Sequence, residues 1–111
     1  MFRALFLALT LFISPACAQT LKIIVPSDND SYNINARVLG KYISKYLPEK
    51  PTIIIQSMPG AASLVAANYI YNIAPKDGTV IGTFYKDIPL VGVLGGNNVM
   101  FESQKFTWLG S

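Results

Sequence analysis

Apolar and polar positions alternate along the chain in blocks that read as strands and helices in turn. Leu21-Lys22-Ile23-Ile24-Val25 is a β-branched apolar run closed by Pro26, which suits a buried strand. A polar turn, Ser27-Asp28-Asn29-Asp30-Ser31, follows it. Between Asn33 and Leu47 the apolar residues Ile34, Val38, Leu39, Tyr42, Ile43, Tyr46 and Leu47 recur at helical spacing, predicting an amphipathic helix with Lys41 and Lys45 on its outer side and Pro48 as its stop. Thr52-Ile53-Ile54-Ile55 is a second apolar strand. The Met58-Pro59-Gly60 turn opens a helix running to about Asn72, Ala74 to Gly78 forms a stop and turn, and Thr79 to Tyr85 is a third strand. Gly95 to Asn98 reads as loop, and Phe106 to Leu109 as the start of a further strand.

Strands without polar alternation, separated by helices, predict an α/β fold: three layers, with a mostly parallel sheet and helices on both faces. Ligands of such sheets sit at the carboxyl ends of the strands. Here those ends are the loops 26–33, 56–63 and 85–89.

The first 18 residues change the expected location. Arg3 precedes an apolar run from Ala4 to Ile13, then Ser14-Pro15 and the small-x-small triplet Ala16-Cys17-Ala18, the pattern of a cleaved secretory signal. The run is well short of the roughly 20 residues that span a bilayer. Cleavage after Ala18 leaves a mature chain over 19–111 without cysteine or histidine, because Cys17 is the only cysteine and there is no histidine. Thiol nucleophiles, disulfides, Cys/His metal sites and histidine acid–base schemes are thereby excluded from it. Nine basic residues against six acidic ones, scattered along the chain, carry no nucleic-acid signature.

Candidate chemistry concentrates after the second strand. Gly60, Ala61 and Ala62 stand where amides at a helix start lack intrahelical partners, and their small side chains let an anion approach. The Ser63 hydroxyl either joins them or serves as a first-turn cap. Asp28 and Asp30 supply neither the glycine nor the bidentate glutamate of a calcium loop. No nucleophile–base pair, no metal constellation, no G-x-G-x-x-G and no P-loop lysine pattern is present, so an enzyme and a cofactor are not expected.

Four segments in order carry a family resemblance: Leu21-Lys22-Ile23-Ile24-Val25-Pro26, Ala36-Arg37, Met58-Pro59-Gly60-Ala61-Ala62, and Ala74-Pro75-Lys76-Asp77-Gly78-Thr79-Val80-Ile81-Gly82. The chain resembles the extracytoplasmic solute receptors of tripartite tricarboxylate transporters, the Bug-type receptors. That resemblance implies a periplasmic two-lobed binding protein that holds a small organic carboxylate by backbone amides of two loops and presents it to membrane permease subunits. By it, residues 19–111 form part of the N-terminal lobe, acting as a monomer. The ligand would meet Ser31, Tyr32 and Asn33 from the first loop and Met58, Gly60, Ala61, Ala62 and Ser63 from the second, with Tyr85 and Lys86 flanking its distal part.

The first loop departs from the Gly-rich family pattern, reading Asn29-Asp30-Ser31-Tyr32-Asn33, and its two aspartates would oppose a carboxylate if turned inward. The resemblance covers only the opening portion of a family member. The alternative expectation is therefore a truncated remnant, or a small exported protein without a ligand.

Overall fold

The computed structural model describes residues 19–110; the expected signal peptide over 1–18 lies outside the described residues. The elements run β1 (Thr20–Val25), α1 (Ser31–Tyr46), β2 (Thr52–Ser57), a 3₁₀ turn (Ala61–Ser63), α2 (Leu64–Asn72), β3 (Val80–Gly82), α3 (Ile88–Leu94) and a second 3₁₀ turn (Ser103–Lys105). The three strands form a parallel sheet in the order β2-β1-β3, with Thr20 opposite Thr52, Val25 opposite Ser57 and Ile24 opposite Gly82. β1 is central, which explains its mostly apolar composition: Ile23, Ile24 and Val25 are fully buried, and Lys22 is half-buried.

Side chains alternate across a sheet, so the two faces can be followed residue by residue. Ile23 and Val25 pack with Ala36 of α1 and with Ile53, Ile55 and Ile81. On the opposite face Gly82 lies against Ile70 of α2, where a β-carbon would overlap the Ile70 methyl. A second core beside α2 gathers Ala67, Ile88 and Phe101, with Leu64, Tyr71, Phe84, Val91 and Phe106 packed around them. Helices thus cover both faces of a parallel α/β sheet, as expected from the order of elements.

The side of α1 that meets the sheet differs from the expectation. Its buried residues are Asn33, Ala36 and Gly40, whereas Ile34, Val38, Leu39, Tyr42 and Tyr46 are exposed, Tyr46 by 79%. Small residues win that face because α1 lies close on the strands: a β-carbon at Gly40 would stand 2.7 Å from the Ile53 Cγ2. Ile43 and Leu47 remain half-buried.

The boundaries also move. α1 begins at Ser31, capped by the Asp30 carboxylate, which accepts the Asn33 amide at 3.0 Å. β2 extends to Ser57, because its ladder with β1 continues until Met58 donates to the Val25 carbonyl. β3 is only Val80–Gly82, so Tyr85 lies beyond the strand. α3 is an element the sequence does not announce: it spans only seven residues and carries Gly92 in its interior, which lowers helical propensity, while Pro89 in its first turn is tolerated there. Phe106 to Leu109 forms no strand: the Phe106 ring sits 5.7 Å from Phe84, 5.6 Å from Phe101 and 5.4 Å from Trp108, sealing the second core. The 74–78 turn is present as read, with Asp77 accepting the Thr79 amide and hydroxyl.

Candidate functional site

The chain leaves β1 for α1 on one face of the sheet, while α2, and α3 packed beside it, lie on the other. The connections thus diverge to opposite faces at β1, and sheets of this kind bind ligands in the crevice outside the carboxyl end of such a strand. The segments that meet there are Pro26 to Asn33, Met58 to Ser63 and Thr83 to Asp87.

The second segment has the least ordinary backbone. Instead of running straight into a right-handed helix, Ala61 (φ 47°), Ala62 (φ 49°) and Ser63 (φ 75°) all lie in the left-handed region, after Gly60 at φ 137°. Left-handed geometry costs a residue with a β-carbon about 1–2 kcal/mol, so three in succession are held there by their surroundings. One restraint is visible: the Ser63 side chain is buried, and its hydroxyl oxygen accepts the Tyr85 amide at 2.9 Å. α2 then begins at Leu64, whose amide returns to the Ala61 carbonyl. Among the described residues the amides of Gly60, Ala61 and Ala62 donate to no other group, and all three residues are exposed.

Tyr85 joins this segment to the first loop. Its hydroxyl donates to the Asp30 Oδ2 at 3.2 Å, and its ring lies 5.0 Å from that of Tyr32. Burial, then the hydrogen bond and charge of Asp30, raise the Tyr85 phenol above its ordinary value. Asp30 thus spends one carboxylate oxygen on the cap of α1 and the other on Tyr85.

Asn33 is buried and fully engaged: its amide group donates to the Ser27 carbonyl at 2.9 Å, and its side-chain oxygen accepts Arg37 Nε at 2.7 Å. Ser31 is exposed at the first turn of α1. Met58 is half-buried with its amide committed to Val25. Lys86 is exposed. The Ser57 hydroxyl, on the α1 side at the end of β2, is buried with no hydrogen-bond partner among the described residues. The structure therefore brings Tyr32, Ser63 and Tyr85 together and leaves the Gly60–Ala62 amides open, while Asn33 and Met58 serve the scaffold.

Asp30 is the part of this cluster that the sequence reading placed only as a charge in the loop. Its signal was present: an aspartate before a helical run, three residues ahead of Asn33, is a cap pattern. Among the described residues no group of three acidic, histidine or cysteine side chains could hold a metal ion, and no helix is long and apolar enough to cross a membrane. Comparison of the chain with family models, curated proteins and solved structures returns no match.

Proposed function

We propose that this chain is a solute-binding module that captures a small organic carboxylate in the crevice above β1, by reversible binding without chemistry. The observation that carries the reading is the trio of exposed, uncommitted amides at Gly60, Ala61 and Ala62, held in left-handed geometry at the carboxyl rim of a parallel sheet. Consecutive amides released from helical bonding form a site for an anion without a basic side chain. Tyr32 and Tyr85 supply an aromatic wall beside them, and the buried Ser63 hydroxyl, which accepts the Tyr85 amide, fixes that wall against the turn.

Asp30 narrows the ligand. Its carboxylate stands at the same rim beside the Tyr85 hydroxyl, which disfavours a second ligand carboxylate on that side and favours a hydroxyl or amino donor there. The resemblance to tripartite tricarboxylate receptors supports the same reading: export to the periplasm, a monomer, and delivery of the carboxylate to permease subunits, with no nucleic acid, metal or cofactor involved.

A second reading, an exported chain without a ligand, draws on a different observation. The polar side chains at the rim are already engaged within the protein: Asp30 by the Asn33 amide and the Tyr85 hydroxyl, Asn33 by the Ser27 carbonyl and Arg37, and Ser63 by the Tyr85 amide. Amide resonances separate the two. Titration of the full chain with a panel of small carboxylates, hydroxy and amino acids as well as di- and tricarboxylates, should shift the Gly60, Ala61 and Ala62 signals first; a panel that moves none of them supports the second reading.

A further inference from the structure

β2 is an edge strand that lacks the usual protection of an edge. Among the described residues it pairs only with β1, and its sequence Thr52-Ile53-Ile54-Ile55-Gln56-Ser57 contains no charge and no proline. Thr52 donates to the Gln19 carbonyl and Met58 to that of Val25, so the even-numbered residues of this segment face β1. The backbone groups of Ile53, Ile55 and Ser57 consequently face outward, and none is hydrogen-bonded among the described residues.

Beside this edge lies an open groove of about 440 Å³ between β2 and α1. Ile53 and Ile55 line its apolar part, and its charged residues are Arg37 and Lys41; no acidic side chain lines it. Both cations are exposed, and neither forms an ion pair among the described residues. Arg37 is oriented by the bond from its Nε to Asn33.

We infer that the free edge of β2 and the groove beside it form a docking seat for an extended acidic peptide segment, which adds to the sheet as a further strand. Side chains of an added strand alternate between faces. Glutamates on the α1 side lay their methylenes over Ile53 and Ile55 and reach Arg37 and Lys41 with their carboxylates. β-Branched residues on the other side cover Ile54, which is 45% exposed. A second copy of this chain fits less well: pairing β2 with β2 brings two Arg37–Lys41 rims to one seam, where like charges oppose each other. This seat is separate from the crevice above β1, so it stands or falls independently of the carboxylate proposal.

The test uses the full chain and a labelled peptide of alternating glutamate and valine, matched in length to β2, with binding read by fluorescence anisotropy. Saturable binding is expected. N-methylation of the peptide amides that face β2 should weaken it by roughly tenfold or more, since main-chain hydrogen bonds supply the affinity of strand addition. Arg37→Glu combined with Lys41→Glu should weaken it by a similar factor, and a lysine–valine peptide should not bind. Equal binding of the N-methylated peptide, of the lysine–valine peptide or by the Arg37→Glu, Lys41→Glu variant would overturn the proposal, as would failure of the glutamate–valine peptide to bind, whether or not the chain self-associates through β2.

Discussion

The Tyr85 amide donates to the Ser63 hydroxyl at 2.9 Å, tying the loop after β3 to the left-handed turn before α2 across 22 residues of sequence. Tyr85 also reaches Asp30 with its hydroxyl, so one residue links all three loops at the rim of the crevice.

Removing that tie should loosen the turn. Ser63→Ala leaves a partly buried amide without an acceptor, which costs about 1–3 kcal/mol. Urea unfolding of the variant should show a lower midpoint with an unchanged slope. A midpoint equal to that of the parent chain would mean that the hydroxyl does not restrain Tyr85.

The backbone of the turn makes a prediction whose sign is diagnostic. In a right-handed helix Ala62→Gly would destabilise by roughly 1 kcal/mol. With Ala62 at φ 49° the same change relieves a left-handed residue of its β-carbon and should be neutral or stabilising, by up to about 1 kcal/mol. Thermal or urea unfolding of the variant reads the sign directly.

The alkaline limb of stability should depend on Tyr85. Its folded-state value is raised above the ordinary 10.0, by burial first and then by Asp30, so its contribution is fully present below that pH and is lost as pH rises through the raised value. Tyr85→Phe removes the ionisable group. The stability difference between the parent chain and Tyr85→Phe should therefore shrink as pH rises above about 10; parallel curves would contradict the contact with Asp30.

On α1 the two sides of the helix should respond in opposite ways. Val38→Lys, on the exposed stripe, should change stability by no more than about 0.5 kcal/mol. Gly40→Ala crowds the Ile53 methyl and should cost about 1–3 kcal/mol. A reversed order in urea unfolding would mean that the apolar stripe, not the small residues, faces the sheet.

This contrast marks where the sequence was legible. The apolar runs at Leu21 to Val25 and Thr52 to Ile55 announce parallel strands, and both read as buried; only β1 is, because β2 stands at the sheet edge with Ile54 45% exposed. Periodicity locates α1 but does not say which of its stripes is inside. Ala36 and Gly40 prevail through close approach to Ile53 and neighbouring strands, a distance that hydropathy does not encode. At the candidate site, Gly60 and the loops at the strand ends were legible from turn chemistry and sheet topology. The left-handed course of Ala61, Ala62 and Ser63 was not, since alanines favour a right-handed helix and tertiary contacts override them here. Ser63 with Tyr85, and Tyr85 with Asp30, are meetings of residues far apart in sequence. Phe106 departs from its expected strand for a related reason: a short apolar run suits a strand or a core plug equally, and the cluster with Phe84 and Phe101 decides it.

The most direct test of the carboxylate site is ligand-dependent thermal stabilisation of the full chain and of Gly60→Val. At Gly60 a β-carbon would meet Val65 Cγ2 at 2.8 Å and would be held at φ 137°, so the substitution disturbs the anion-facing turn locally. With a ligand at about 100 times its Kd, the parent chain should gain about 2.7 kcal/mol, visible as a clear rise in Tm. For at least one small carboxylate the parent Tm should rise while Gly60→Val, with its circular dichroism preserved, stays unmoved. A panel that leaves the parent Tm unchanged, or that raises both proteins equally, would contradict binding at the Gly60–Ala62 amides.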